Sequence, residues 1–358
     1  MATRKFKRIL SIIALVLIFA MVIGTIASAL TGCGAVEKTS DTAVAEAAEK
    51  KTESATETKV EDSKPTVLRV AGLKGATTIG LLNFIKDVES GNTDLNVEFT
   101  MYTAGSDIMA AFASGDLDIG LVPSNVAAVM NSKVEGGESV IDINTLGVLS
   151  CVSADESVTS MKDLSGRTVY MTGQGATPEY TVRYLLDQSG ITDCDIQFKS
   201  EPTEIVSIFA EDRDAVAILP QPFTTAALSQ NESLKISFLL DDEWGKYNSD
   251  SRIVTGVTVA SNSFIAEHKD MVDAFIKLHK ESADKAVSDV DTTAALAVEK
   301  GIIAKEPLAK KAIPNCSIVC ISGAGIKDML PGYYKVLFDQ DPKSLGGSLP
   351  DDSFYYVD

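Results

Sequence analysis

The stretch TGQGATPEY at 172–180 places hydroxyl, amide and glycine groups where a β-rich run gives way to a helical pattern. Thr177 fits a helix N-cap and Pro178 a first helical residue. Glycines let the backbone come close to a bound group, and free N–H groups at a helix start favour anions or polar oxygens. Glu179 stands in the first turn, and Arg183, four residues on, is placed to pair with it on the outer helix face. Such a turn cradles a phosphate, activates a nucleophile or holds a small ligand. The first two readings find no support. The chain has no Gly-x-Ser-x-Gly, no Gly-x-x-x-x-Gly-Lys-Ser/Thr and no His-Glu-x-x-His, and TGQGATP lacks the third glycine of a dinucleotide fingerprint. No cofactor is expected, and no metal.

The turn has an echo. VLRVAGLKGATTIG at 67–80 pairs with RTVYMTGQGATPEY at 167–180. A second pair follows at a constant offset of 97 residues: Ser106 with Thr203, Ile108 with Ile205, Phe112 with Phe209 and Pro123 with Pro220. The chain holds two copies of one unit, each reading strand, turn, helix, strand, helix, strand, turn, helix. Short β-rich runs that alternate with helices imply mostly parallel sheets flanked by helices. The turns after the strands then share one sheet edge, where open α/β sheets bind ligands. Two such lobes facing each other form a cleft. The β-like segments at 142–154 and 251–264 are the expected crossings, giving a first lobe of 67–147 with 257–358 and a second of 148–256. The aromatic tail from Pro331 onward is expected to dock on the first lobe.

The edge turns supply the candidate ligand-binding residues. From the first copy these are Lys74, Gly75, Ala76, Thr77 and Thr78, then Ser124 and Asn125. From the second they are Gly175, Ala176 and Thr177, then Gln221 and Thr224. Lys74 is the candidate charge partner. Thr145 and Thr255 flank the crossings. Tyr180, Phe223 and Trp244 are candidates to stack on a flat ligand ring, with Trp244, in the polar run DDEWGKY, expected at a rim.

The N-terminus reads as an address. Arg4, Lys5, Lys7 and Arg8 precede an uncharged apolar run that ends in Leu30-Thr31-Gly32-Cys33. That is the order of parts in a secretory signal, expected to span 1–32. Leu-Thr-Gly-Cys resembles the lipobox of bacterial lipoproteins, which implies lipidation of Cys33. Residues 33–66 are mostly Ala, Glu, Thr, Lys and Ser without an aromatic, and read as a flexible acidic stalk. The net charge of −18, further lowered by loss of the four basic leader residues, speaks against nucleic acid as a partner. Cys151, Cys194, Cys316 and Cys320 are too sparse for a disulfide scaffold. Cys316 and Cys320, in CSIVC, are expected on one strand as buried thiols. His268 and His279 are expected on a helix, facing solvent.

A lipobox, an acidic stalk and two pseudo-repeated α/β lobes with two crossings resemble the solute-binding proteins of bacterial ABC importers. KGATTIG, GDLDIGLVPSNVA, TGQGATPEY, LPQPFTTAAL and GGSLPDDSFYY resemble the group of nitrate, taurine and alkanesulfonate receptors, whose superfamily includes receptors for thiamine pyrimidine precursors. The resemblance covers 67–358. It implies a type II periplasmic-binding fold whose lobes close on a small polar or anionic solute. It also implies docking on a permease with its ATPase, an extracytoplasmic location and no catalysis. A pyrimidine-processing enzyme on the same fold and a receptor feeding a membrane kinase are the alternatives.

Overall fold

The computed structural model describes residues 66–357. The expected signal sequence, Cys33 and nearly all of the expected stalk lie outside the described residues. Among those described, no helix is long and apolar enough to cross a membrane.

Eleven strands among the described residues form two sheets: β1 (Leu68–Leu73), β2 (Val97–Tyr102), β3 (Ile119–Pro123), β4 (Glu138–Leu146), β5 (Leu149–Ser153), β6 (Thr168–Met171), β7 (Asp195–Phe198), β8 (Val216–Pro220), β9 (Lys235–Leu239), β10 (Val254–Ser261) and β11 (Ile318–Ser322). The first sheet has the order β11-β4-β10-β3-β1-β2 and the second β7-β6-β8-β5-β9. The repeat is visible in the topology. β2-β1-β3-β10 in one lobe matches β7-β6-β8-β5 in the other, with parallel ladders up to β3 or β8 and an antiparallel one beyond.

The sheets are mixed rather than mostly parallel at the level of ladders, and the crossings explain why. The chain leaves the first sheet at the end of β4, passes Gly147 and Val148, and enters the second as β5. It returns as β10. Each crossing strand inserts against the direction of the strand beside it, β5 against β8 and β10 against β3. β4 is buried along all nine residues, as a strand covered on both faces must be.

Within each copy a helix lies on the third strand. Ile108 and Phe112 of the helix Gly105–Ala113 cover β3, and Ile205 and Phe209 of the helix Pro202–Glu211 cover β8. The copies differ beneath the aromatic ring. A Cβ built on Gly120 comes within 2.6 Å of Phe112 Cε2 and 3.0 Å of Ile108 Cγ2, whereas the equivalent of Gly120 in the second copy is the buried Ala217. Gly120→Ala therefore overpacks the first lobe and should cost about 1–3 kcal/mol in denaturant unfolding. A midpoint equal to that of the parent would show that the ring has room to withdraw.

The tail docks on the first lobe and also reaches the second. Tyr333 and Tyr334 of the helix Ala324–Gln340 are fully buried, as is Phe354 nearly so, and Tyr355 forms a parallel bridge with Val140 of β4. One hydrophobic cluster joins Val122, Val140 and Tyr333 to Met171, Val182 and Trp244, so the apolar core runs across the seam between the lobes.

Candidate functional site

An edge turn from each copy, the one after β3 and the one after β6, meets the other at the seam. The helix Thr177–Gln188 is capped by the backbone of Ala176, so Thr177 is its first residue rather than its N-cap. Its hydroxyl is thereby released from capping and donates instead to Asn125 Oδ1 of the other lobe, at 3.0 Å. Asn125 Nδ2 donates to Gly175 O and to Ser344 O, both at 3.3 Å. Ser124 Oγ lies 3.4 Å from Thr177 Oγ1 and donates to Val254 O at 2.5 Å, while Tyr334 OH donates to Ser124 O at 2.5 Å. Ser124, Asn125, Gly175 and Thr177, named from two distant stretches of sequence, thus form one interlobe network.

Glu179 changes the character of the second turn. Its Oε2 accepts from Gly175 N at 2.7 Å, and its Oε1 accepts from Arg183 Nε at 2.7 Å. The expected pair with Arg183 forms. The same carboxylate also occupies an amide that the turn would otherwise offer to an anion.

The other first-lobe candidates are spread more widely. Lys74 is exposed. Gly75 caps the short helix Ala76–Ile79 with extended backbone, and Thr78 Oγ1 donates to Leu73 O at 2.6 Å, closing the turn. Thr77 packs on β10, where a Cβ on Gly256 would sit 2.6 Å from Thr77 Cγ2. Thr145 is fully buried and starts a polar chain. Its hydroxyl donates to Asn144 Oδ1, Asn144 Nδ2 donates to Thr258 Oγ1, and Thr258 Oγ1 donates to Asp142 Oδ1, at 2.9, 3.2 and 2.8 Å. Asp142 Oδ2 lies 2.9 Å from His279 Nδ1.

That chain corrects the reading of His279, which faces the core rather than solvent. Its helix, Lys269–Ser288, turns His279 inward beside Phe275, and Asp142 answers the buried ring nitrogen. Cys320 lies near this pair, with one ligand-type atom from each of Asp142, His279 and Cys320 within 4.8 Å of the others. Both carboxylate oxygens already hold hydrogen bonds, to Thr258 and to His279. His268 is half-buried and packs on Phe264. All four described cysteines are free, and burial pushes each thiol up. Cys316 is not on the strand with Cys320. It ends a 3-10 turn, Ile313–Asn315, and β11 begins two residues later, after Ser317 with φ 46°.

In the second lobe, Gln221 and Thr224 bond within their own lobe. Gln221 Oε1 accepts from Thr225 Oγ1 at 2.8 Å, and Thr224 Oγ1 donates to Leu219 O at 3.0 Å. Next to them, Pro222 and Phe223 face Ile302, Ile303 and Leu308 across a largely apolar interlobe pocket of about 290 Å³.

Trp244 is buried, not at a rim. The short helix Leu240–Gly245 turns Leu240 and Trp244, four residues apart, to the same inner side, while Asp242 and Gly245 stay exposed. The indole N–H donates to Ser251 O at 3.1 Å, and the ring lies between Tyr184 and Tyr333, with centroids 5.0 and 5.2 Å away. Tyr333 OH in turn sits 2.8 Å from Thr181 Oγ1. Thr255 is at an irregularity of the β10–β4 ladder, and its buried hydroxyl has no partner among the described residues.

Asp241 and Glu138 escaped the sequence reading. Asp241 Oδ1 is buried without a hydrogen bond among the described residues, and its carboxylate crowds the first crossing: a Cβ on Gly147 would fall 2.1 Å from Oδ1. Burial pushes this carboxyl up, with Arg252 pulling the other way. Glu138 is fully buried and, among the described residues, unpartnered at both oxygens. A partnerless acid has no sequence signature, because being unpartnered is a property of the packed chain.

Comparison with known proteins agrees with this architecture. The chain is 23% identical over 263 residues to a Brucella abortus (strain 2308) protein that carries a provisional binding-protein name, covering 70% of this chain and 80% of the relative. An ABC transporter structure from Parabacteroides distasonis superposes with a TM-score of 0.69 at 23% identity, covering 81% of this chain and 99% of the other. The periplasmic aliphatic sulphonate-binding protein SsuA of Escherichia coli gives 0.62 at 14% identity, covering 79% and 91%. SsuA of Xanthomonas axonopodis pv. citri, bound to MOPS, gives 0.62 at 12% identity, covering 80% and 96%. These likenesses establish the two-lobed periplasmic-binding fold. The family described as NMT1/THI5 like matches residues 92–292, and the chain belongs to that family.

Proposed function

We propose that this chain is the extracytoplasmic, lipid-anchored substrate-binding protein of an ABC importer, and not an enzyme. The observation that carries the reading is the pairing of Asn125 with Thr177 and Gly175, which joins an edge turn of the first copy to an edge turn of the second across the lobe seam. Groups that bond each other when the lobes meet are placed to bond a small polar solute held between them. The structural relatives bearing sulphonate-binding and ABC-transporter names support the role. The moving bodies are 67–147 with 257–358, and 148–256. Cys33 carries the lipid, the stalk lets the domain range above the membrane, and a permease with its ATPase receives the solute.

A thermal-shift panel of sulfonates, nitrate, pyrimidines and amino acids tests this, followed by calorimetry on each hit. One compound class should bind at one site per chain without turnover. Thr177→Val and Asn125→Ala should each weaken it by about tenfold, the scale of a lost buried hydrogen bond, and Lys74→Ala by less. Product formation, or binding unchanged in all three variants, would defeat the reading.

A further inference from the structure

We infer that Asp142, His279 and Cys320 bind a zinc-class divalent cation in the first sheet and the helix that covers it. The site shares no residue with the interlobe network, and the inference stands independently of the solute-binding reading. One ligand-type atom from each residue lies within 4.8 Å of the others. Carboxylate oxygen, imidazole nitrogen and thiolate sulfur are donors that zinc accepts together, whereas magnesium and calcium take oxygen alone.

Three elements bring the donors to one place. Ile321 and Ser322 of β11 stand opposite Ile143 and Asp142 of β4, after an irregular stretch of the ladder that contains Cys320. An irregularity of this kind re-aims a side chain at a sheet edge, and here the thiol ends beside the Asp142 carboxylate. The helix Lys269–Ser288 lies over both. Cys320 Sγ is 3.9 Å from Ile276 O, and His279, about one turn further on, meets Asp142 Oδ2 through Nδ1 at 2.9 Å.

A structural histidine–aspartate pair does not account for the whole cluster. His279 is fully buried, yet its second nitrogen, Nε2, has no partner among the described residues. A buried ring nitrogen left unmatched is costly and calls for an explanation. Asp142 Oδ1 is held by Thr258, which is bonded in turn to Asn144 and through it to Thr145. Such outer hydrogen bonds orient a ligating carboxylate. β11 is the outermost strand of its sheet and Cys320 is only half-buried, so an ion has a way in from that edge. A divalent cation balances the charges of the carboxylate and the thiolate, and the thiol proton leaves to solvent as it binds. The bound ion would tie β11 and the helix to β4, the strand from which the chain departs for the second lobe.

Zinc itself, with cobalt as its spectroscopic stand-in, tests the inference on the full, processed chain after chelator treatment. Calorimetry should give one Zn²⁺ per chain at about micromolar Kd or tighter, with affinity rising with pH and no comparable binding of Mg²⁺. Co²⁺ should show a near-ultraviolet thiolate-to-metal band. Cys320→Ser should abolish that band and weaken Zn²⁺ by at least about tenfold, while Cys316→Ser leaves both unchanged. Saturating Zn²⁺ should raise the unfolding midpoint of the parent and not of Cys320→Ser. No zinc binding by the parent, or binding that Cys320→Ser leaves within about twofold, would overturn the site. The cobalt spectrum of the parent decides the matter even if the variant misfolds: bound cobalt without a thiolate band places the ion elsewhere and overturns it too.

Discussion

Glu138→Gln raises the unfolding midpoint at pH 8 and flattens the fall in stability between pH 5 and pH 8. Glu138 opens β4 opposite Ser261, is fully buried, and holds no hydrogen bond at either oxygen among the described residues. Burial pushes its carboxyl up to about 8. Below the ordinary glutamate range both the folded and the unfolded chain keep the proton, and burial carries no ionic cost. As pH rises the unfolded glutamate releases its proton first, while the folded one holds it to about pH 8. The unfolded state then binds fewer protons, so stability drops by about 1.4 kcal/mol per pH unit across that window. The whole effect is on the order of 4 kcal/mol, several degrees in a chain of this size. Glutamine keeps the shape and removes the ionisation. Melting curves at pH 5, 6.5 and 8 measure it, and equal slopes for the two proteins would show that Glu138 is solvated.

Trp244→Ala should cost about 3–5 kcal/mol in denaturant unfolding, the range for an aromatic removed from a packed core. The indole is almost fully buried, hydrogen-bonded through its N–H, and flanked by Tyr184 and Tyr333. Because Tyr333 belongs to the first-lobe tail helix, the cavity opens at the seam itself. The loss should therefore also weaken coupling between the lobes, seen as a broadened or two-step transition. A loss under about 1 kcal/mol would mean that the neighbouring rings close over the gap.

Much of this architecture was legible because the repeat reports buried positions twice. Ile108 with Ile205 and Phe112 with Phe209 mark the same inner helix face in both lobes. The 97-residue offset carries Pro123 onto Pro220 at the ends of β3 and β8. Pattern reading also named Ser124, Asn125, Gly175 and Thr177. It could not show that they would bond one another, since that depends on how the lobes meet. Local composition misled where a polar neighbourhood hid an inward face. DDEWGKY hides Trp244, and the lysines around His279 hide a ring that meets Asp142, far away in sequence. Thr177 suits a cap because threonine caps well, but the helix begins at Thr177 itself and turns that hydroxyl toward the other lobe.

Trp244 is the only tryptophan in the chain, and it touches a tyrosine from each side of the seam. Any parting of the lobes draws Tyr333 away and lets water reach the indole, while Tyr184 stays with it. The molecule thus carries its own optical gauge. The colour of its tryptophan emission, and the energy it collects from neighbouring tyrosines, report how far the two halves stand apart, with no label added.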